Sequence, residues 1–346
     1  DSILENKKLM QVVRPFLRHH LARLVTRFYE APESEILLRV NGQVIWRGSK
    51  IGQLEKTQKI LNPKVKLIKS DELDKSSLEK IQRKLDICIE NRVKTLMPNL
   101  LILANNNKLR GGAAGFAHIF VNNLGVLMKS EVMEQFNSMD SESKVELRNF
   151  GIRFGYKTIY DKTLLKPEAS RLRIALFNVF CAIPESALFH PLAGLVTVEY
   201  DKHISKKQYL VAGFFVAGNR AIRIDMLERL FFMIKEYSKD EWIVIQPAML
   251  SITGLGLEKF TELIRSLRFD IKHEKIEKGN EVITFEKDDE HYKVLFKKQL
   301  INKRVKLMPT SETFKKTKQN RKKNRAKKQM PTNDSPFSLL KVLIKN

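Results

Sequence analysis

The stretch from Leu147 to Phe180 constrains the fold most, because it joins a glycine-punctuated turn region to a helix with a fixed start. Gly151 and Gly155 allow tight backbone turns there, among Arg153, Phe154, Tyr156, Lys157 and Tyr160. Lys166-Pro167 then opens the helix: proline lacks an N–H that the first helical position would leave unpaired anyway. Leu172, Leu176, Val179 and Phe180 fall on one face of that helix. Two readings stand for the turn region. It is a folded connector with buried rings and solvated cations, or a surface whose cations and rings meet phosphates and stacked bases.

On either side of this block the apolar period alternates between helical and extended spacing. Met10, Val13, Leu17, Leu21, Leu24 and Phe28 predict an amphipathic helix over 8–29, with Arg14, Arg18, Arg23 and Arg27 opposite. Ile36–Val40, Asn41-Gly42 and Val44–Trp46 read as a β-hairpin, since Asn-Gly accepts the positive φ of a tight turn. Ser76-Ser77-Leu78-Glu79 reads as a capping box opening a helix to about Met97. Pro98 is a break, followed by more helix through Asn105. Gly111-Gly112-Ala113-Ala114-Gly115 reads as a turn before a helix from Phe116 to Leu127, with small residues for helix packing. Short helices are expected near 132–136 and 143–150, and strands at Leu195–Glu199 and Tyr209–Val216, with a turn at Gly218-Asn219.

From Asp225, taken as an N-cap, three helices precede extended runs near 269–276, 282–286 and 292–296, which is winged-helix order. In that arrangement Lys259, Arg265 and Arg268 on the third helix lie near phosphates, although Glu258 and Glu262 share the helix. The expected fold class is α+β, predominantly helical: a helical body with a β-hairpin insertion, a C-terminal winged-helix-like module and a disordered basic tail. The expected segments are 1–30, 31–70, 71–184, 185–224, 225–300 and 301–346.

Charge is the second constraint. The 346 residues carry +24 with a pI near 9.9. Tyr292–Asn346 holds 17 Lys and Arg against 2 acids, a charge of +15 that leaves +9 on the rest. A basic tail of that kind is the footprint of a polyanion partner, with a solubilising or membrane-surface tail as the competing account. Cys88 and Cys181 lack metal-ligand spacing and read as buried free thiols of a reducing, cytoplasmic compartment. His19-His20 finds no third ligand, and no run of 18 apolar residues or signal-peptide layout is present, so no membrane partner is expected. The chain begins at Asp1 and enters a helix almost at once, so it reads as part of a longer polypeptide.

The blocks Gly151-Ile152-Arg153-Phe154-Gly155 and Leu164-Leu165-Lys166-Pro167, with the Arg-rich helix after them, resemble the C-terminal region of certain superfamily 2 helicases. These are the alphaproteobacterial relatives of the mitochondrial degradosome RNA helicase. Val44–Gly48, Leu61–Val65 and Arg223–Leu230 resemble the same region in the same order, so the resemblance covers roughly residues 8–270. It implies a parent that unwinds nucleic acid. The chain itself has no Gly-x-x-x-x-Gly-Lys-Ser/Thr loop, and Asp71–Asp74 has no hydrophobic strand before it to make a magnesium-binding motif. ATP and magnesium are therefore expected only for the motor domains, not as cofactors of this segment, and no catalytic or metal-ligating residues are assigned.

The leading expectation is an accessory region that grips single-stranded RNA or DNA by its backbone, with the motor domains in cis or trans. Arg153, Lys157, Lys166, Arg171 and Arg173 are the candidate contacts of the body. Arg321, Lys322, Lys323, Arg325, Lys327 and Lys328 form a nonspecific anchor. The alternatives are a scaffold docking a ribonuclease or ribosomal partner, or an inactive split-gene remnant.

Overall fold

Among the described residues, three buried clusters organise an α+β chain that is mostly helical, with several small antiparallel sheets. The computed structural model describes residues 16, 19–68, 73–106, 109–237, 242–276, 284–287 and 290–298, which belong to one unit, Asp1–Gln299. The basic run Arg321–Lys328 and the rest of the tail lie outside the described residues. No helix among the described residues is long and apolar enough to cross a membrane.

Helix α1 (19–30) leads into a four-stranded antiparallel meander, β1 (Ile36–Leu38), β2 (Gln43–Trp46), β3 (Ser49–Glu55) and β4 (Lys64–Leu67). Ile36 pairs with Trp46 and Leu38 with Val44, so Ile36, Val44 and Trp46 are buried together. Trp46 meets Phe28 of α1 edge to face at 5.1 Å. Arg47 pairs with Glu35 at 3.2 Å rather than facing an open site.

Helices α2 (Lys75–Leu96), α3 (Pro98–Ala104) and α4 (Gly111–Asn122) follow, then β5 (Val126–Met128), α5 (Met133–Ser138) and α6 (Ser141–Asn149). The cap of α2 is Asp74, whose carboxylate accepts from Ser77 N, and not Ser76 as the sequence pattern implied. An aspartate one turn ahead outcompetes the serines because an ionised acceptor suits the partial positive charge of a helix start. Gly111–Gly115 are not a turn but the first turns of α4, which ends five residues earlier than expected. Gly112 explains itself by packing: a Cβ there would stand 2.7 Å from Ser138 Oγ of α5. Cys88 is buried, and burial raises its thiol pKa, whereas Cys181 is exposed at the end of the next long helix, contrary to expectation.

The central block forms β6 (Ile152–Phe154), β7 (Thr158–Asp161) and α7 (Pro167–Phe180), the strands joining β5 in the order β5-β7-β6. Pro167 is the first residue of α7, as the sequence required. The helix is largely enclosed, and eight of its residues from Ala169 to Asn178 are buried. The β1–β2 turn docks on its C-terminal half, where Asn178 Nδ2 donates to Val40 O at 2.9 Å. Gly42 sits there at φ +81, and a Cβ on it would overlap Val179. Gly42→Ala is expected to cost about 2 kcal/mol, from backbone strain and overpacking together. A denaturant titration reads this directly, and a wild-type midpoint would mean that the turn is not seated on α7.

Beyond α7 lie β8 (Thr197–Glu199), α8 (Lys206–Val211), β9 (Phe214–Ala217) and β10 (Arg220–Arg223), with sheet order β8-β10-β9. The strand expected at Tyr209–Val216 is split: its first part is helix. Ser205 and Gln208 form a reciprocal capping box that starts α8, and Gly213 at φ +90 ends it before β9. Helix α9 (Ile224–Tyr237) begins one residue before Asp225, whose carboxylate pairs with Arg223 at 2.7 Å and also accepts from the first-turn Met226 N at 2.9 Å. The chain ends its described part with β11 (Ile243–Val244), α10 (Pro247–Thr253), α11 (Leu257–Ser266), β12 (Phe269–Ile276), β13 (Thr284–Lys287) and β14 (Glu290–Lys298). Here β14 lies between β11 and β12, and β13 pairs with the start of β14. Phe260, Leu263, Phe269 and Phe296 fill the core of this part with the apolar face of α9.

Candidate nucleic-acid interface

Gly155 closes the turn between β6 and β7 by donating its N–H to Thr158 O at 2.9 Å. That leaves the next three N–H groups pointing the same way, and all of them meet one carboxylate from α9. Glu228 accepts from Tyr156 N, from Lys157 N at 3.0 Å and from Thr158 N at 2.9 Å. It also accepts from Thr158 Oγ1 at 2.8 Å. A concave run of backbone N–H groups is an anion-binding nest, and here an internal carboxylate fills it. Gly155 is small for the same reason, since a Cβ would overlap the Glu228 carboxyl group. The backbone of this turn is therefore not open to phosphate; its side chains are.

Those side chains form a connected ridge of rings and cations. Tyr156 stacks on Phe231 of α9 at 4.5 Å, and Lys298 of β14 donates to Tyr156 Oη at 2.6 Å. Lys157 lies 5.9 Å from the Tyr156 ring centre and 5.8 Å from that of Phe231. One strand away, Phe154 meets Phe136 of α5 at 5.3 Å. Lys144 and Lys129 approach the Phe136 ring at 4.7 and 5.2 Å, and Arg148 approaches Phe154 at 5.6 Å. Lys129 Nζ also donates to Gly155 O, which ties the two halves together. Among the described residues none of Lys129, Lys144, Arg148, Arg153, Lys157 or Lys298 forms an ion pair with a carboxylate. Cations held on ring faces keep their full charge toward solvent, whereas carboxylate pairs would cancel it.

The expected contacts of the body separate into three groups. Arg153 and Lys157 share the β6–β7 hairpin, Arg153 exposed opposite Tyr160 and Lys157 half-buried at the turn. Tyr160 is buried, and burial together with Glu228 and Asp225 pushes its hydroxyl pKa up to about 12, which Arg153 opposes. Lys166 and Arg171 are exposed on the first turns of α7, and the Arg171 charge, after burial, lowers the pKa of His190. Arg173 is the correction. Its guanidinium is fully buried, Nη2 donates to Val211 O, and Nε and Nη1 find no partner. A side chain closed off from solvent cannot grip a strand, so Arg173 leaves the set. On α11 and just after it, Lys259, Arg265 and Arg268 are exposed, away from the ridge contacts.

Lys129, Lys144, Arg148 and Lys298 were missed by sequence reasoning. The signal available was the Lys144/Arg148 pair, four apart on one helix, beside the ring-rich block. Glu228 was missed too, although it stands in the Arg223–Leu230 block and links it through four hydrogen bonds to Tyr156–Thr158, just after Gly155. No protein-family model, no curated protein and no solved structure matches the chain.

Proposed function

We propose that this chain is an accessory nucleic-acid-binding region that holds single-stranded RNA or DNA by its backbone, working with helicase motor domains in cis or trans. The observation that carries the reading is the ridge of cations on ring faces at Lys129, Lys144, Arg148, Lys157 and Lys298, none in an ion pair among the described residues. Phosphates meet the cations while bases stack on ring surface such as Tyr156, which is about half exposed. Lys166 and Arg171 extend the contact along α7, and the tail from Arg321 to Lys328 adds a nonspecific anchor.

The part from α9 to β14 fits a winged-helix-like module, because two helices and a short strand precede α11 and the sheet order is β11-β14-β12. In that module α11 carries Lys259 and Arg265, with Arg268 just after it. A scaffold role toward a ribonuclease is the second reading, favoured by Phe232, which stands 62% exposed on α9.

Salt decides between them. Each phosphate contact on a single strand contributes about 0.7 to the slope of log affinity against log salt. Changing Lys144, Arg148, Lys157 and Lys298 together to Gln is expected to flatten that slope by close to 3, measured by fluorescence anisotropy on single-stranded RNA. Deleting residues 312–330 is expected to flatten it further. An unchanged slope in the four-site variant would remove the ridge from the strand path, and absence of any RNA binding would favour the scaffold.

A further inference from the structure

The turn between β9 and β10 leans against α11 and leaves a cleft of about 270 Å³ between them. That is slightly below the roughly 300–1,000 Å³ of pockets for drug-sized ligands, so the space suits a small polar group rather than a whole cofactor. Gly218, at φ +60, makes the close approach: a Cβ on it would overlap Ser266.

Two arginines line this small space, Arg220 from the strand and Arg265 from the helix. Arg220 Nε is buried with no hydrogen-bond partner. Its only ion pair among the described residues is a long one, Nη2 to Glu199 Oε1 at 3.8 Å, and Glu199 is 86% exposed. Arg265 has no ion pair among the described residues. Glu262 also lines the cleft and pairs with neither guanidinium, while Ser266 Oγ is spent on Glu262 O at 2.9 Å. Two like charges in one cleft, one with a buried orphan donor, lack the anion that would satisfy both.

We propose that this cleft binds a phosphate group, held by the guanidinium groups of Arg220 and Arg265, with Asn219 at its rim. The site stands on its own geometry and involves none of the ridge residues. The planar fork of arginine matches phosphate oxygens two at a time, which lysine cannot do. The phosphate is either a phosphodiester of a nucleic-acid chain or a phosphomonoester of a free nucleotide or ion, and the test separates the two.

The experiment titrates the full chain with inorganic phosphate, and separately with a short 5′-hydroxyl single-stranded RNA, by calorimetry. Wild type, Arg265→Gln, Arg220→Lys and the four-site ridge variant are compared. Arg265 is exposed, so Arg265→Gln is expected to keep the wild-type melting midpoint while weakening phosphate binding about tenfold. Arg220→Lys, which keeps the charge but loses the planar fork, is expected to weaken it as well. A parallel loss of RNA affinity identifies a backbone phosphodiester, and retained RNA affinity identifies a phosphomonoester site. Phosphate binding that survives in the ridge variant supports the cleft even if the ridge reading fails. Absence of saturable phosphate binding, or equal binding in wild type and Arg265→Gln, overturns the proposal.

Discussion

Glu228→Ala is expected to lower stability by about 3 kcal/mol, a fall of roughly 4–5 °C in melting midpoint for a chain of this size. Four donors lose one charged acceptor: Tyr156 N, Lys157 N, Thr158 N and Thr158 Oγ1. A hydrogen bond to a charged group contributes about 1.5–3 kcal/mol, but Tyr156 is half exposed and its N–H recovers water, so the sum is well below four full bonds. Gly155→Ala is expected to cost about 2 kcal/mol by pushing the same carboxylate out of the nest. The two changes share one cause, and the double variant should therefore be no worse than Glu228→Ala alone, a coupling of about 2 kcal/mol. Denaturant titration of the four proteins closes the cycle. Strict additivity would mean that Gly155 is small for some reason other than Glu228. The clamp also bears on function, because it seats Tyr156 and Lys157 against α9, and the ridge depends on that seating.

Local pattern in the sequence reached as far as local causes do. The β1–β2 pairing followed from alternation around Asn41-Gly42, and the start of α7 followed from Pro167, because both are decided by neighbours in the chain. Helix α8 was read as strand because Tyr209-Leu210-Val211 is a short apolar run, and such runs fit a buried helix equally well. The capping box at Ser205 and Gln208 was the overlooked sign.

Helix α7 failed in a different way. Its apolar positions suggested one buried face, yet the β1–β2 turn packs on one side and α8 on another, so Arg173 and Ile174 are deeper than Val179 and Phe180. Nothing within the helix announces how many elements will surround it. Glu228 was illegible for the same reason: its partners lie about 70 residues away, and an acid on an amphipathic helix usually faces water.

The buried cation on α7 yields the largest expected effect. Burial pulls the pKa of Arg173 down from the ordinary arginine range to about 10, even with Asp161 opposing the shift. Asp161 is itself buried, accepting from Asn99 Nδ2 and Thr163 N at 2.8 Å and from Thr163 Oγ1 at 2.7 Å. Removing that counter-charge by Asp161→Asn is expected to cost about 4 kcal/mol, because the guanidinium stays buried without compensation.

Arg173→Met should cost far less. It removes a charge whose burial costs roughly 3 kcal/mol, but it leaves Val211 O unpaired at about 1 kcal/mol and takes the counter-charge from buried Asp161, whose hydrogen bonds to Asn99 and Thr163 soften that loss, so a stability within about 1 kcal/mol of wild type is expected. Asp161→Asn in the Arg173→Met background should then cost far less than it does alone.

The pH dependence carries the same sign. The unfolded chain holds the Arg173 proton more tightly than the folded one above about pH 10, so this group adds stability as pH rises from there toward the ordinary arginine range. Tyr160 works against it: its folded pKa of about 12 lies above the ordinary 10, so stability falls as pH climbs between those values. Arg173→Met removes the first effect and leaves the second, and its stability should decline more steeply than wild type above pH 10. If Arg173→Met is destabilised as much as Asp161→Asn, the guanidinium is a net support of the core and its two unpaired nitrogens are not the burden argued for.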